Sequence, residues 1–219
     1  MEAILYLYTQ TPNTIPMFRI ISGRWKAKKI AAPKNFDVRP TTDFAKEALF
    51  SILEHRYDLP YVAVLDLFAG IGSISLEFAS RDTQDITAVE NNARHAGFIS
   101  QTAHELELSL QISVLRYDVY EYLKKNQKKK AYDIVFADPP FEQTDEKKYL
   151  QLIDHVLQGE YLKPGGVFIL EHAARLKLQH PAIEESRKYG NLNFSFIPYS
   201  EPVAKDNENS ATEDEVPGE

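Results

Sequence analysis

Val62-Ala63-Val64-Leu65-Asp66-Leu67-Phe68-Ala69-Gly70-Ile71-Gly72-Ser73 is the stretch on which the fold turns. From Val62 to Phe68 it is apolar except at Asp66, as in a strand buried on both faces. Gly70 and Gly72 then let the backbone turn tightly, and a helix starts at Ser73. The alternation continues with strand Ile86 to Glu90, helix Asn92 to Leu106, strand Ile112 to Arg116 and a helix from Val119. Strand Asp133 to Ala137, helix Lys147 to Leu157 and strand Val167 to Glu171 follow. Nearly all-apolar strands separated by helices predict an α/β fold with a mostly parallel sheet covered on both sides. Asn193 to Ile197 alternates polar and apolar residues, which predicts a last, antiparallel strand at the sheet edge. Upstream, Phe18 to Ile21 and Ala27 to Ala32 predict a β-hairpin around Ser22-Gly23-Arg24. Thr41-Thr42 offers a hydroxyl cap to a helix that carries Ala45, Ala48, Leu49, Ile52 and Leu53 at helical spacing.

Composition bounds the function. The chain has 219 residues, 43% of them apolar and 26% charged, enough for one globular core. It has no cysteine, which excludes disulfide scaffolds, cysteine-ligated metal sites and thiol nucleophiles. The six histidines show no metal-ligand spacing, so no metal is assigned. No run approaches the roughly 20 apolar residues of a bilayer span. Residues 1–16 carry no Lys or Arg and no small-residue cleavage site, so they read as a flexible leader, and the expected location is the cytoplasm.

The formal charge of −7 averages two opposite segments. Residues 201–219 hold seven carboxylates against Lys205 alone, a composition that predicts a disordered acidic tail. Residues 17–40 hold Arg19, Arg24, Lys26, Lys28, Lys29, Lys34 and Arg39 against Asp37, a basic hairpin suited to nucleic-acid phosphates. A second cluster, Lys124, Lys125, Lys128, Lys129 and Lys130, reads as a solvated helix end.

In a parallel sheet, ligands bind at the carboxyl ends of the strands. The turn holding Asp66, Phe68, Ala69, Gly70 and Gly72 sits at one such end, although a dinucleotide fingerprint would place a third glycine where Ser75 stands. Glu90, followed by Asn91, ends the next strand, where a carboxylate accepts both hydroxyls of a ribose. Asp118, followed by Val119, is placed either to meet an adenine amino group or to cap the next helix. Asp138-Pro139-Pro140-Phe141 follows strand Asp133 to Ala137 and is the most specific signal. At ordinary proline and aspartate frequencies such a string occurs by chance in well under about 1% of chains of this length. Two prolines fix the backbone, so that the Asp138 carboxylate and Pro139 carbonyl form a rigid pair of acceptors, and Phe141 offers a flat apolar face. Together they make a clamp for the exocyclic amine of a planar base.

Arg19-Ile20-Ile21-Ser22-Gly23-Arg24-Trp25, Arg39-Pro40-Thr41-Thr42-Asp43, Glu47-Ala48-Leu49-Phe50, Leu65 to Gly70 and Asp138 to Phe141 resemble, in order and spacing, the bacterial small-subunit (16S) rRNA guanine-N2 methyltransferases. The resemblance runs from about residue 18 to 171. It implies a Rossmann-like, seven-stranded sheet with an antiparallel last strand, S-adenosyl-L-methionine as cofactor, and methyl transfer to the N2 amine of a guanine. It further implies that Asp66, Phe68, Ala69, Gly70 and Gly72 line the cofactor loop, that Glu90 and Asn91 meet the ribose, and that Asp118 and Val119 meet the adenine. Asp138, Pro139, Pro140 and Phe141 would hold the target base. Arg19, Arg24, Lys26, Lys28, Lys29, Arg39, Thr41 and Thr42 would face the RNA. Residues 41–200 are then the methyltransferase domain, a monomer working on rRNA or an assembling small subunit. Members usually begin near Met17, which makes Met17 an alternative start. Three rivals stay open: adenine-N6 methylation, a NAD-dependent oxidoreductase built on Gly70, Gly72 and Glu90, and a non-catalytic RNA-binding module.

Overall fold

The computed structural model describes residues 17–34, 36, 41–140 and 145–199. The leader, Arg39, Phe141 and the acidic tail lie outside the described residues. The chain opens with strands β1 (Met17–Arg19) and β2 (Lys29–Ala31), then helix α1 (Asp43–Arg56) and a 3₁₀ turn (Leu59–Tyr61). Next come β3 (Ala63–Leu67), α2 (Ser73–Ser80), β4 (Asp85–Glu90), α3 (Ala93–Glu105) and β5 (Ile112–Arg116). The series ends with α4 (Val119–Lys125), β6 (Tyr132–Ala137), α5 (Glu146–Gln158), β7 (Leu162–Ala173), β8 (Glu185–Tyr189) and β9 (Leu192–Pro198).

Seven strands form one sheet in the order β5-β4-β3-β6-β7-β9-β8, and β1 pairs with β2 in a separate antiparallel hairpin. Strands β3 to β7 run parallel, and β9 runs against both its neighbours. The expected edge position of Asn193 to Ile197 is therefore corrected: β9 lies inside the sheet and β8 forms the edge. Strand β8, Glu-Ser-Arg-Lys-Tyr, has no apolar run to announce it, as suits an edge that must resist further pairing. The central strands are apolar throughout because alternate residues feed two cores. Val64 and Ile134 pack with α1, α2 and α3, whereas Leu65 and Val135 pack with α4 and α5.

The hairpin is bolted to this body. Gly23 has φ +80°, and a Cβ there would fall 1.8 Å from the Ser80 carbonyl oxygen, so no other residue fits the turn. The Arg24 amide donates to that same carbonyl at 2.7 Å, and the Trp25 amide donates to Ser80 Oγ at 2.9 Å. Beneath the hairpin the fully buried Glu77 accepts from the Ile21 and Ser22 amides at 2.8 and 3.0 Å and from the Arg81 guanidinium at 3.0 Å. Lys46, also fully buried, reaches Glu77 at 3.5 Å and donates to the Arg19 carbonyl at 2.6 Å. Burial depresses the Lys46 pKa, and the Glu77 carboxylate opposes that shift.

Candidate active site

Strand order reverses between β3 and β6, since β3 continues to β4 on one side and β6 to β7 on the other. The turns leaving these two strands diverge and open a crevice at the carboxyl edge of the sheet. A cavity of about 590 Å³ lies there, within the usual range for a small-molecule ligand.

The β3–α2 turn forms its floor. Phe68, Gly70 and Gly72 all have positive φ, at +60°, +56° and +80°. A bulky residue in that region is strained, and the turn holds it because both flanking elements are buried. A Cβ on Gly72 would come within 2.9 Å of Ile99 on α3, so the glycine also serves close packing. Asp66 is 1% exposed and accepts from Ser75 Oγ at 2.5 Å and from the Ser75 amide at 3.2 Å. Burial pushes its pKa up to about 7, with smaller contributions from the Asp138 and Glu90 charges. Ser75, where a dinucleotide fingerprint would have glycine, is thus the residue that secures Asp66.

Glu90 ends β4 and ties two loops together, accepting from the Gly70 amide at 2.8 Å and from the Asn92 amide at 2.7 Å. Asn92 in turn caps α3 through the Arg94 amide at 2.9 Å. Asp118 is the cap of α4, with Oδ1 accepting from the Tyr120 and Glu121 amides at 3.0 and 3.1 Å. It also lines the cavity.

On the opposite wall, Asp138 leaves β6 immediately after Ala137, whose register partner on β7 is Leu170. Glu171 follows Leu170 within β7, so Asp138 past the end of β6 stands beside a carboxylate of the neighbouring strand. Thr41 Oγ1 donates to Glu171 at 2.8 Å, whereas no hydrogen-bond donor among the described residues serves the half-buried Asp138. Burial pushes the Asp138 pKa up to about 7, and burial together with the Asp138 charge raises Glu171 well above the usual carboxylate range.

The structure gathers most of the expected site residues. Asp66, Phe68, Ala69 and Gly70 share the cavity wall with Glu90 and Asn91. Asp118 and Val119 close one side, and Asp138, Pro139 and Pro140 the other. Gly72 caps α2 behind the wall. Thr41, expected at the RNA surface, is 8% exposed and lines the cavity instead, because its hydroxyl is spent on Glu171. Thr42 Oγ1 accepts from the Ala45 amide and caps α1. Sequence reasoning did not list Ser73, Ile74, Asn92, His95 or Glu171. The rule of inspecting strand ends would have found Glu171; the others carry no distinctive local signal.

The hairpin cations lie away from the cavity. The hairpin turn packs on the C-terminal end of α2, and the cavity lies at its N-terminal end. Eight residues of helix put about 12 Å between the two. Arg19 pairs with Asp43 at 3.0 Å and Arg24 with Glu107 at 2.7 Å. Lys26, Lys28 and Lys29 are exposed and have no ion pair among the described residues.

A sheet of this order with a cavity at the β3/β6 divide is the Rossmann-like fold of the methyltransferases. The chain belongs to the family described as Conserved hypothetical protein 95, whose model matches residues 18–198. Ribosomal RNA small subunit methyltransferase D of Haemophilus influenzae is 32% identical over 166 residues, covering 74% of this chain and 82% of that protein. A candidate methyltransferase from Escherichia coli superposes with a TM-score of 0.71 at 23% identity, over 84% of this chain and 99% of the other. The Thermus thermophilus 16S rRNA N2 methyltransferase solved with AdoMet and guanosine gives 0.62 at 21% identity, over 84% of this chain and 50% of the other. At those identities the two solved structures bear on fold alone.

Proposed function

We propose that this chain transfers a methyl group from S-adenosyl-L-methionine to the exocyclic N2 amine of a guanine in small-subunit rRNA. The observation that carries the reading is Asp138: a carboxylate with no donor among the described residues, on the wall of the cofactor-sized cavity and followed by two prolines. The cavity suits S-adenosyl-L-methionine in its donor set. Glu90 keeps lone pairs for ribose hydroxyls beyond the two amides it holds, and the Gly70 turn brings backbone close without a Cβ. When bound, the cofactor supplies a methyl group on an electrophilic sulfonium.

The chain's own residues position the amine. Asp138 and the Pro139 carbonyl accept its two N–H bonds, which aims the nitrogen lone pair into the cavity, a gain of proximity and orientation rather than of new chemistry. A base that leaves its stack loses a few kcal/mol, and stacking on an aromatic face, the role given to Phe141, returns about 1–3 kcal/mol. Lys26, Lys28 and Lys29 would grip RNA phosphates without reading sequence. Residues 41–200 form the methyltransferase domain and 17–40 the RNA-gripping hairpin in this reading.

The test is nucleoside mass spectrometry of small-subunit rRNA after incubation with the protein and labelled cofactor. N2-methylguanosine is expected. N6-methyladenosine would transfer the same clamp to adenine, and calorimetric binding of NAD in place of S-adenosyl-L-methionine would overturn the reading altogether.

A further inference from the structure

An exposed aromatic ring stands on the target-base side of the cavity without lining it. Phe44 is 66% exposed. It lies in the first turn of α1, three residues past Thr41, whose hydroxyl ties the approach to that helix to Glu171 on β7. Three Cα steps of about 3.8 Å place Phe44 within about 11 Å of Thr41 on the cavity wall. Its ring meets Tyr189 edge to face, with centroids 6.1 Å apart and planes at 68°. Tyr189 ends β8 and pairs with Leu192, which pairs with Ala173 at the end of β7. Both rings therefore lie at the carboxyl edge of the sheet, where Asp138 follows β6. The other exposed large apolar side chains among the described residues lie elsewhere. Tyr61 and Leu110 precede β3 and β5 at the opposite edge, and Met17 starts the hairpin. Tyr117 follows β5, three strand spacings or roughly 14 Å from β6.

The charges around the two rings suit a polyanion. Arg175, just past β7, and Lys188, next to Tyr189, are exposed and have no ion pair among the described residues. The acids beside the rings are matched, Asp43 by Arg19 at 3.0 Å and Glu185 by Arg56 and Arg187 at 2.8 and 2.9 Å. A guanine that leaves its stack to reach Asp138 deprives its neighbour of one stacked face, and an aromatic ring close to the clamp replaces that face. An apolar protein partner would use the rings and leave the free cations idle; single-stranded RNA uses both. We propose that Phe44, backed by Tyr189 and flanked by Arg175 and Lys188, is a stacking platform for a nucleotide adjoining the target guanine. The platform rests on the rRNA methyl-transfer reading, and it adds an RNA contact at the edge that carries Asp138, away from the hairpin.

The experiment uses the full chain and its Phe44→Ala, Phe44→Leu and Phe44→Trp variants, with deproteinised small-subunit rRNA and intact small ribosomal subunits as the two probes. Phe44→Ala and Phe44→Leu are each expected to raise KM for methyl transfer, and Kd in filter binding, about tenfold on both probes while kcat stays within about twofold. Phe44→Trp is expected to restore KM and Kd, and S-adenosylhomocysteine affinity should be unchanged in all three variants. Stacking also leaves a spectroscopic mark: the added emission of Phe44→Trp, measured against the unaltered chain with Trp25 alone, is expected to be quenched by rRNA. Unchanged KM and Kd in Phe44→Ala, or full retention of both in Phe44→Leu, would overturn the platform and leave the methyl-transfer reading standing. Losses confined to intact subunits would also overturn it and assign the rings to a ribosomal protein. Absence of N2-methylguanosine with the unaltered chain would sink the methyl-transfer reading instead. Kd then decides the platform alone: raised in Phe44→Ala and restored in Phe44→Trp, the rings bind RNA; unchanged, they do not.

Discussion

Glu77 and Asp138 are both carboxylates taken into the body of the protein, and they are treated in opposite ways. Glu77, under the hairpin, accepts from two backbone amides and the Arg81 guanidinium, and Lys46 stands 3.5 Å away. Asp138, on the cavity wall, has no donor among the described residues, and burial pushes its pKa up to about 7. A saturated buried charge fixes one segment on another; an unsaturated one is held ready for a ligand. The same contrast separates Ser75, whose hydroxyl is spent on Asp66, from Ser73, whose hydroxyl is unmatched.

The largest expected effect comes from breaking the saturated side. Glu77→Ala leaves Lys46 buried without its paired carboxylate and Arg81 with Glu54 alone, and is expected to cost about 3–5 kcal/mol of stability, read by urea denaturation. Replacing Glu77 by glutamine and Lys46 by methionine together, which keeps an acceptor for the Ile21 and Ser22 amides, should recover much of that loss; failure to recover it would mean that the network does more than balance charge. On the unsaturated side, Asp138→Ala should leave the melting temperature unchanged and S-adenosylhomocysteine affinity within about twofold, while turnover on rRNA falls on the order of 10²–10³-fold. Retained turnover would end the amine-clamp role of Asp138.

Legibility in the sequence followed the same division. The parallel core was readable because Val64 and Leu65, buried in opposite layers, leave an unbroken apolar run. Edge strand β8 was not, because an exposed polar strand looks like a loop. Asp138 was legible through its two prolines, which are rare together. Ser73 was not, because a serine at a helix start ordinarily reads as a cap, and only the absence of partners in three dimensions marks it. The resemblance turns Thr41 to the RNA, whereas the structure buries it with its hydroxyl on Glu171.

The raised pKa values carry a pH signature. Asp138 accepts an amine N–H most strongly as the carboxylate, so kcat/KM is expected to rise with pH and level off above about 7. Glu171 from β7, Asp66 from β3, Glu90 from β4 and Tyr149 from α5 share this field. The stability signature has its own sign. The folded Asp66 binds its proton up to about pH 7 while the unfolded chain releases it near the ordinary carboxylate value, so stability falls as pH rises through that window. Asp66→Asn should flatten the slope of melting temperature between about pH 4 and 7, and an unchanged slope would remove Asp66 as its source.

The smallest effect concerns the hairpin surface. Lys28 is exposed and has no ion pair among the described residues, whereas Arg24 is engaged by Glu107 at 2.7 Å. Each phosphate contact contributes close to one unit to the slope of log K against log salt. Lys28→Glu is expected to weaken rRNA binding several-fold and to reduce that slope by about 1–2 units, with no sequence preference. Arg24→Glu should do less, because its charge is already partly neutralised and the pair is exposed. Filter binding across a salt series checks both. Equal effects would mean that the Arg24–Glu107 pair opens to admit RNA, and an unchanged slope in both variants would take the hairpin off the RNA surface, leaving the network around Glu77 a purely structural clamp.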